Sequence, residues 1–226
     1  MVAFDHLVIF SNDPALDASD FENNHQLQAV QGGEHKDWGT YNHLAFMKNN
    51  SYVEWIGIRD QALAETSDNP LIQHTVHASV QHTKGPIQFA LRVENIDTFI
   101  DHFEKKGIAY KGPFPGRRVR ADGSVLEWRM LFPTYSFDEA PLPFLIEWSG
   151  EGNQPTDLSQ LNEVTFSRIQ LSVNQPMEYK KKLKEIYGLS ERTNSLFHLE
   201  NGEIEVKQGN NIVAQFESIR FQKFSS

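Results

Sequence analysis

The sequence predicts an α+β fold built from repeated βαβββ modules, two of them paired around a cleft and a third following them. Three observations carry that prediction. An aromatic and aliphatic segment holding one carboxylate occurs twice, as Tyr52-Val53-Glu54-Trp55-Ile56-Gly57 and as Phe144-Leu145-Ile146-Glu147-Trp148-Ser149-Gly150. Each closes a stretch that opens with an apolar strand and a helix-capping residue, His6-Leu7-Val8-Ile9-Phe10 in one case and Gln88-Phe89-Ala90-Leu91-Arg92-Val93 in the other. The same order of elements begins again after residue 160.

The first copy starts with a strand from Phe4 to Phe10. Ser11-Asn12-Asp13-Pro14 follows, a capping side chain ahead of a proline suited to a first helical turn, so a short helix is expected there. Tyr41 to Met47 and Ser51 to Ile58 read as two strands joined by a tight Asn49-Asn50 turn. Asn69-Pro70 starts a linker helix that ends before Lys84-Gly85-Pro86. In the second copy Asn95 caps a helix whose Ile96, Phe99, Ile100 and Phe103 share one face, and Gly107 stops it. Asp122-Gly123 marks a hairpin between Arg117 to Arg120 and Val125 to Leu131, and Phe144 to Trp148 is the last strand. A polar linker, Glu151 to Gln160, leads to a strand from Phe166 to Val173 and a helix from Pro176 to Tyr187 stopped by Gly188. Strands from Ser195 to Leu199, Ile204 to Gln208 and Ile212 to Phe221 complete the chain. The expected organisation is a two-module domain over residues 1–150, with modules at about 1–60 and 86–150, and a third βαβββ-like module over 161–226. An odd module is left to cover a sheet edge or to pair with a second chain as a homodimer.

Hydrophobic residues make up 39% of the 226, enough for a sizeable core, and the net charge of -9 argues against general nucleic-acid binding. The absence of cysteine excludes disulfides, thiolate metal sites and cysteine nucleophiles. Asp5 and His6 interrupt the N-terminal apolar stretch, so neither a signal peptide nor a membrane span is expected and a cytoplasmic location is the default.

Counting back from the caps Asp13 and Asn95 lands on His6 and Gln88 as repeat equivalents. With Glu54 and Glu147 they offer one imidazole, one amide oxygen and two carboxylates, a set suited to zinc, nickel, manganese or iron. The alternative reading makes His6 an ordinary strand-end histidine and pairs each Glu with an Arg. Arg117, Arg118, Arg120 and Arg129 converge on the Asp122-Gly123 hairpin. A guanidinium fork matches a carboxylate or phosphate, and the alternative is ion pairing with Glu127 and Asp122, preferred for Arg117. His74, His77 and His82 lie on a helix expected to be exposed, without a matching carboxylate, which counts against a second metal site.

Four blocks carry a family resemblance: Asp5-His6-Leu7-Val8; Gly32-Gly33-Glu34-His35 with Trp38-Gly39-Thr40-Tyr41-Asn42; Arg118-Val119-Arg120-Ala121-Asp122-Gly123 with Leu126-Glu127-Trp128-Arg129; and Pro143-Phe144-Leu145-Ile146-Glu147-Trp148. Together they resemble the glyoxalase-like family of the vicinal-oxygen-chelate superfamily. The resemblance implies paired βαβββ modules whose curved sheets enclose a cleft, commonly with a divalent metal at its base. In metal-using relatives one ligand comes from the first and one from the last strand of each module, here His6, Glu54, Gln88 and Glu147. Gln88 stands where many relatives carry His, and it is read either as an amide ligand or as unliganded. Lacking a second His, the set counts against non-heme iron dioxygenase chemistry. The Trp38, Thr40 and Asn42 block resembles a family signature on the cleft wall, where it would orient a substrate, or else it shapes a turn and fills core.

The expected function is therefore a metal-dependent isomerase, lyase or hydrolase acting on a small anionic oxygenated substrate, with Glu147 or Glu54 accepting a proton. The alternative is a protein that binds or sequesters a small molecule in the same cleft without turnover.

Overall fold

A computed structural model describes residues 1–120, 122–150, 152–192 and 195–222. Ala121 of the hairpin motif, Glu151 of the linker and the last four residues of the expected third module lie outside the described residues.

The first module consists of β1 (Val2–Phe10), α1 (Pro14–His25), β2 (Val30–His35), β3 (Thr40–Lys48) and β4 (Ser51–Ile58). The Asp13 side chain caps α1 through Leu16 N, with Pro14 in the first turn. β3 and β4 meet at Asn49 and Asn50, whose φ values of 54° and 58° give the primed turn that a two-residue hairpin favours. The linker folds into α2 (Gln61–Glu65) and α3 (Pro70–Val80).

β5 (Gly85–Val93), α4 (Ile96–Lys106), β6 (Tyr110–Val119), β7 (Val125–Pro133) and β8 (Phe144–Trp148) form the second module. Asn95 caps α4, and Gly107, at φ 66°, closes it in the left-handed conformation that glycine adopts without strain. Phe103 is fully buried from the apolar face of α4, a burial worth about 1.5–3 kcal/mol.

In both modules the first strand runs parallel to the fourth, β1 to β4 and β5 to β8. β1 and β5 pair antiparallel and join the modules into one sheet, ordered β2-β3-β4-β1-β5-β8-β7-β6. One face packs on α1 and α4 through Leu7, Phe21, Val53, Phe89 and Phe103. Against the opposite face, which carries Val8, Ile56, Ala90, Phe144 and Ile146, lies α3 with Leu71, Ile72 and Ala78. The linker helix is thus a packed element, and the expectation that it is exposed is corrected: His74 is buried, stacked on Phe137 and 3.0 Å from the Tyr135 hydroxyl.

After a 3-10 turn at Leu158–Gln160 comes β9 (Leu161–Val173), then α5 (Pro176–Tyr187), β10 (Leu196–Leu199), β11 (Gly202–Gln208), β12 (Asn211–Phe216) and β13 (Ile219–Gln222). The start of β9 runs parallel beside β3, and its remainder pairs with β11 on one side and β12 on the other. Here the strand parallel to the first is β11, while β12 and β13 form a hairpin across β9. The expected single strand from Ile212 to Phe221 is therefore two, turning at Glu217-Ser218. Phe166 stacks on Phe4 at 3.8 Å, and the Asn201 side chain bonds both the N–H and the C=O of Phe4.

Candidate functional site

The sheet brings distant strands together. Between β3 and β7 lie five inter-strand steps, roughly 24 Å for a flat sheet at about 4.8 Å per strand. Yet Asn42 and Leu44 of β3 line the same cavity of about 50 Å³ as Leu126, Trp128 and Met130 of β7. The sheet must curl around that cavity, whose wall also holds His6, His35, Trp38, Tyr52, Glu54, Arg118, Phe144, Trp148 and Asn153. It opens beside an outer groove of about 1020 Å³ between β2 and the β6–β7 ribbon. A separate groove of about 930 Å³, between α3 and the β9–β12 region, does not include these residues.

At the floor of the cavity are His6 and Glu54, both buried, with His6 Nε2 3.5 Å from Glu54 Oε2. The pairing of β1 with β5 slips between Phe4 and His6, and this bulge brings the neighbouring side chains of Asp5 and His6 into contact. His6 Nδ1 lies 2.7 Å from Asp5 Oδ1; the other Asp5 oxygen accepts from Arg92 at 3.1 Å and from the Trp148 indole at 2.9 Å. A carboxylate on Nδ1 fixes the ring so that Nε2 faces Glu54.

Glu54 Oε1 accepts from Asn42 Nδ2 at 2.5 Å, and Asn42 Oδ1 accepts from Gly33 N at 2.6 Å. The slip in β2–β3 pairing falls at Gly32-Gly33, and a Cβ on Gly32 would lie 2.0 Å from Asn42 Oδ1, so the bulge needs glycine. Thr40 is buried and bonds His35 Nδ1 at 2.9 Å, while the Trp38 ring meets His35 edge-on. Burial pulls the His35 pKa down, against an upward pull from Glu54 and with a further downward one from Arg118. Tyr52 stacks on His6 at 4.4 Å, and its phenol is pushed well up, chiefly by burial and then by Asp5 and Glu54.

Arg118 brings its guanidinium into the same cavity and donates to Asn153 Oδ1 at 3.1 Å. Burial lowers its pKa, Tyr52 and Glu54 raise it, and Arg120 lowers it. Arg120 lies outside the cavity lining, bonded to Gly152 O. Asn153 also bonds Tyr52, so a residue assigned to a polar linker is part of the site.

Two of the expected metal ligands, Glu147 and Gln88, lie elsewhere. The strand pairing explains why. The offset that relates Asp13 to Asn95 and His6 to Gln88 also relates Val8 to Ala90. Val8 pairs with Glu54, whereas Ala90 pairs with Phe144, so the register counterpart of Glu54 is Phe144 and not Glu147. Glu147 is an odd number of positions further along β8 and points to the opposite face, where Arg129 bonds it at 2.6 Å and grips Asp97 of α4 with two bonds. The expectation that Glu147 and Glu54 face each other is corrected, and Arg129 is engaged in this ion triad with Glu147 and Asp97 and not with Glu127 or Asp122. Gln88 donates to the Tyr135 hydroxyl at 2.7 Å and to Leu142 O at 3.1 Å, and accepts from Phe89 N, which occupies its amide away from the cavity.

Among the described residues no three His, Asp or Glu side chains are arranged to hold a metal ion. Of the His and Glu side chains that line the cavity, His6, His35 and Glu54, only His6 Nε2 and Glu54 Oε2 come within 4 Å of each other, where a catalytic centre ordinarily takes three or more ligands from the protein. The donor set does not fit the four-ligand divalent site that the resemblance implies.

No curated protein matches the chain. Among solved structures, a hypothetical protein from Staphylococcus aureus superposes with a TM-score of 0.77 at 15% identity, covering 96% of this chain and 89% of that one. Methylmalonyl-CoA epimerase from Mycobacterium tuberculosis gives 0.48 at 17% identity over 64% of this chain and 87% of its own. Its counterpart from Streptomyces coelicolor, in complex with 2-nitronate-propionyl-CoA, gives 0.49 at 14% over 69% and 100%. The first likeness supports the fold alone, and the epimerase scores are too low to argue from. The profile of the glyoxalase-like domain matches residues 4–187, and with the repeated modules and the cleft it encloses, this chain belongs to the glyoxalase-like domain family.

Proposed function

We propose that this protein is a proton-transfer enzyme, of isomerase or lyase type, acting on a small oxygenated organic anion. The observation that carries the reading is one small cavity holding both the His6–Glu54 pair, 3.5 Å apart, and the half-buried Arg118. Arg118, steadied by Asn153, receives the anionic oxygens. Glu54, held by Asn42, takes a proton from the adjacent carbon and returns it, while His6 shares the charge and Asp5 fixes its ring. Trp38, Trp128 and Trp148 exclude water from the pair. A single water takes about 30 Å³ of liquid, so a cavity of about 50 Å³ admits only the reacting head of a substrate. Any larger substituent would lie in the outer groove.

The test is exchange of the α-proton in deuterated water, followed by NMR over a panel of 2-oxo acids, 2-hydroxy acids and their thioesters. Wild type should exchange at least one of them, and Glu54→Gln should retain binding but lose exchange. Binding by wild type without exchange anywhere in the panel would sink the enzymatic reading in favour of a sequestering protein.

A further inference from the structure

We propose that Arg118 supplies the catalytic positive charge of this cleft in place of a resident divalent cation. The inference rests on the proton-transfer reading above and specifies its electrophile. Each of the four strand positions that would surround a metal is accounted for. His6 Nε2 and Glu54 Oε2 face each other at 3.5 Å on the floor. The register counterpart of Glu54 is Phe144, 1% exposed, whose ring meets His6 edge-on at 5.5 Å and stacks on Phe132 at 5.0 Å. An aromatic carbon edge thus fills the place of a fourth donor. Gln88 has its amide engaged by Tyr135, Leu142 and Phe89 and cannot turn in without breaking those bonds.

The remaining charge in the cavity is cationic. Arg118 lines it together with Glu54, and a dication placed between Glu54 and His6 would have to share that space with a guanidinium. The fold makes room for this arginine. Position 33 on β2 has no side chain, and a Cβ there would press on Arg118 Cδ at 3.2 Å, so the aliphatic stem passes over Gly33. The charge balance of the step closes without a metal. As the C–H proton passes to Glu54, its electron pair forms a carbon–carbon double bond and negative charge builds on the substrate oxygen. Arg118 N–H groups bond that oxygen, and Glu54 then gives the proton back to carbon, restoring its own charge.

The experiment uses the full chain purified without chelator. Metal content is measured by plasma mass spectrometry, and the thermal midpoint is followed with pyruvate as probe, in EDTA and in added zinc. Metal well below one per chain and a pyruvate-induced rise that survives EDTA and gains nothing from zinc would support the inference. Arg118→Gln should weaken pyruvate binding by an order of magnitude or more, the scale of a lost charged hydrogen bond, and Arg118→Lys should recover part of it. If wild type carries one metal per chain, loses the pyruvate response in EDTA and regains it with zinc, the electrophile is the metal. The inference then falls while the proton-transfer reading stands. If no anion of the panel shifts the midpoint under either condition, the reading and the inference fall together.

Discussion

Replacing Asp5 with Asn keeps the side-chain volume and removes one buried charge. Asp5 is 1% exposed and makes three bonds, to His6 Nδ1, Arg92 and the Trp148 indole. An amide oxygen can still accept from Trp148, so the loss concentrates on His6 and Arg92. Breaking a fully buried ion pair costs about 3–5 kcal/mol. The Arg92 side chain is 23% exposed and keeps a 2.6 Å bond to Asn50 O, which offsets part of that cost. The expected destabilisation is about 2–4 kcal/mol, or a fall of about 4–16 °C in the unfolding midpoint for a chain of this size. Urea unfolding of Asp5→Asn, Arg92→Gln and the double variant should give a coupling energy of about 1–3 kcal/mol. The nitrogen spectrum of His6 should change as well, because Asn can present either end to Nδ1. A loss below about 0.5 kcal/mol, the range of an ordinary surface substitution, with an unchanged His6 spectrum would refute the clamp.

Other substitutions probe neighbouring parts of the site. Gly32→Ala would force a Cβ to within 2.0 Å of Asn42 Oδ1, so it should cost about 1–3 kcal/mol by overpacking and weaken anion binding as Glu54 loses its support; unaltered binding in a calorimetric titration would contradict the Asn42–Glu54 bond. Tyr135→Phe removes the hydroxyl between Gln88 and His74 and should cost about 1–3 kcal/mol in denaturant unfolding without altering pyruvate affinity. Because burial holds the His35 pKa below its usual 6.5, the unfolded chain takes up that proton first as the solution is acidified. Stability should fall below pH 6.5 and level off once the folded value is passed, and His35→Gln should flatten that fall.

Where the signal was local, the sequence carried the fold well. The Asn95 cap, the Ile96 to Phe103 spacing and the Gly107 stop define α4 without reference to the rest of the chain, and the Asn49-Asn50 turn does the same for β3 and β4. β2 was not legible: its Val30-Gln31-Gly32-Gly33-Glu34-His35 run has no alternation, and its glycines serve a bulge that only Asn42 explains. The turn at Glu217-Ser218 lacks glycine or proline, so β12 and β13 read as one strand. Of the candidate site residues, His6, Trp38, Asn42, Glu54 and Arg118 line one cavity. Glu147 resembles Glu54 because each is the one carboxylate of a repeated aromatic and aliphatic segment, but hydrogen-bonded register sets the facing side and no local string contains it. Asp5 could have been noticed as a charge beside a histidine in an otherwise apolar strand, although its contact with His6 depends on a bulge that pairing alone reveals.

The bonds from Asn201 to Phe4 span 197 residues of sequence, and Phe166 is stacked on Phe4. β1 is also the strand that carries Asp5 and His6 and joins the two modules. During synthesis, this strand waits for segments made far later before its packing is complete, and closing so long a loop slows folding. The intermediate that waits would expose Phe4 and the open edge of β3, surfaces prone to pairing with other chains. Expression of a chain cut after residue 160 should therefore give aggregation-prone protein, and nascent chains should reach protease resistance only after residue 201 has emerged.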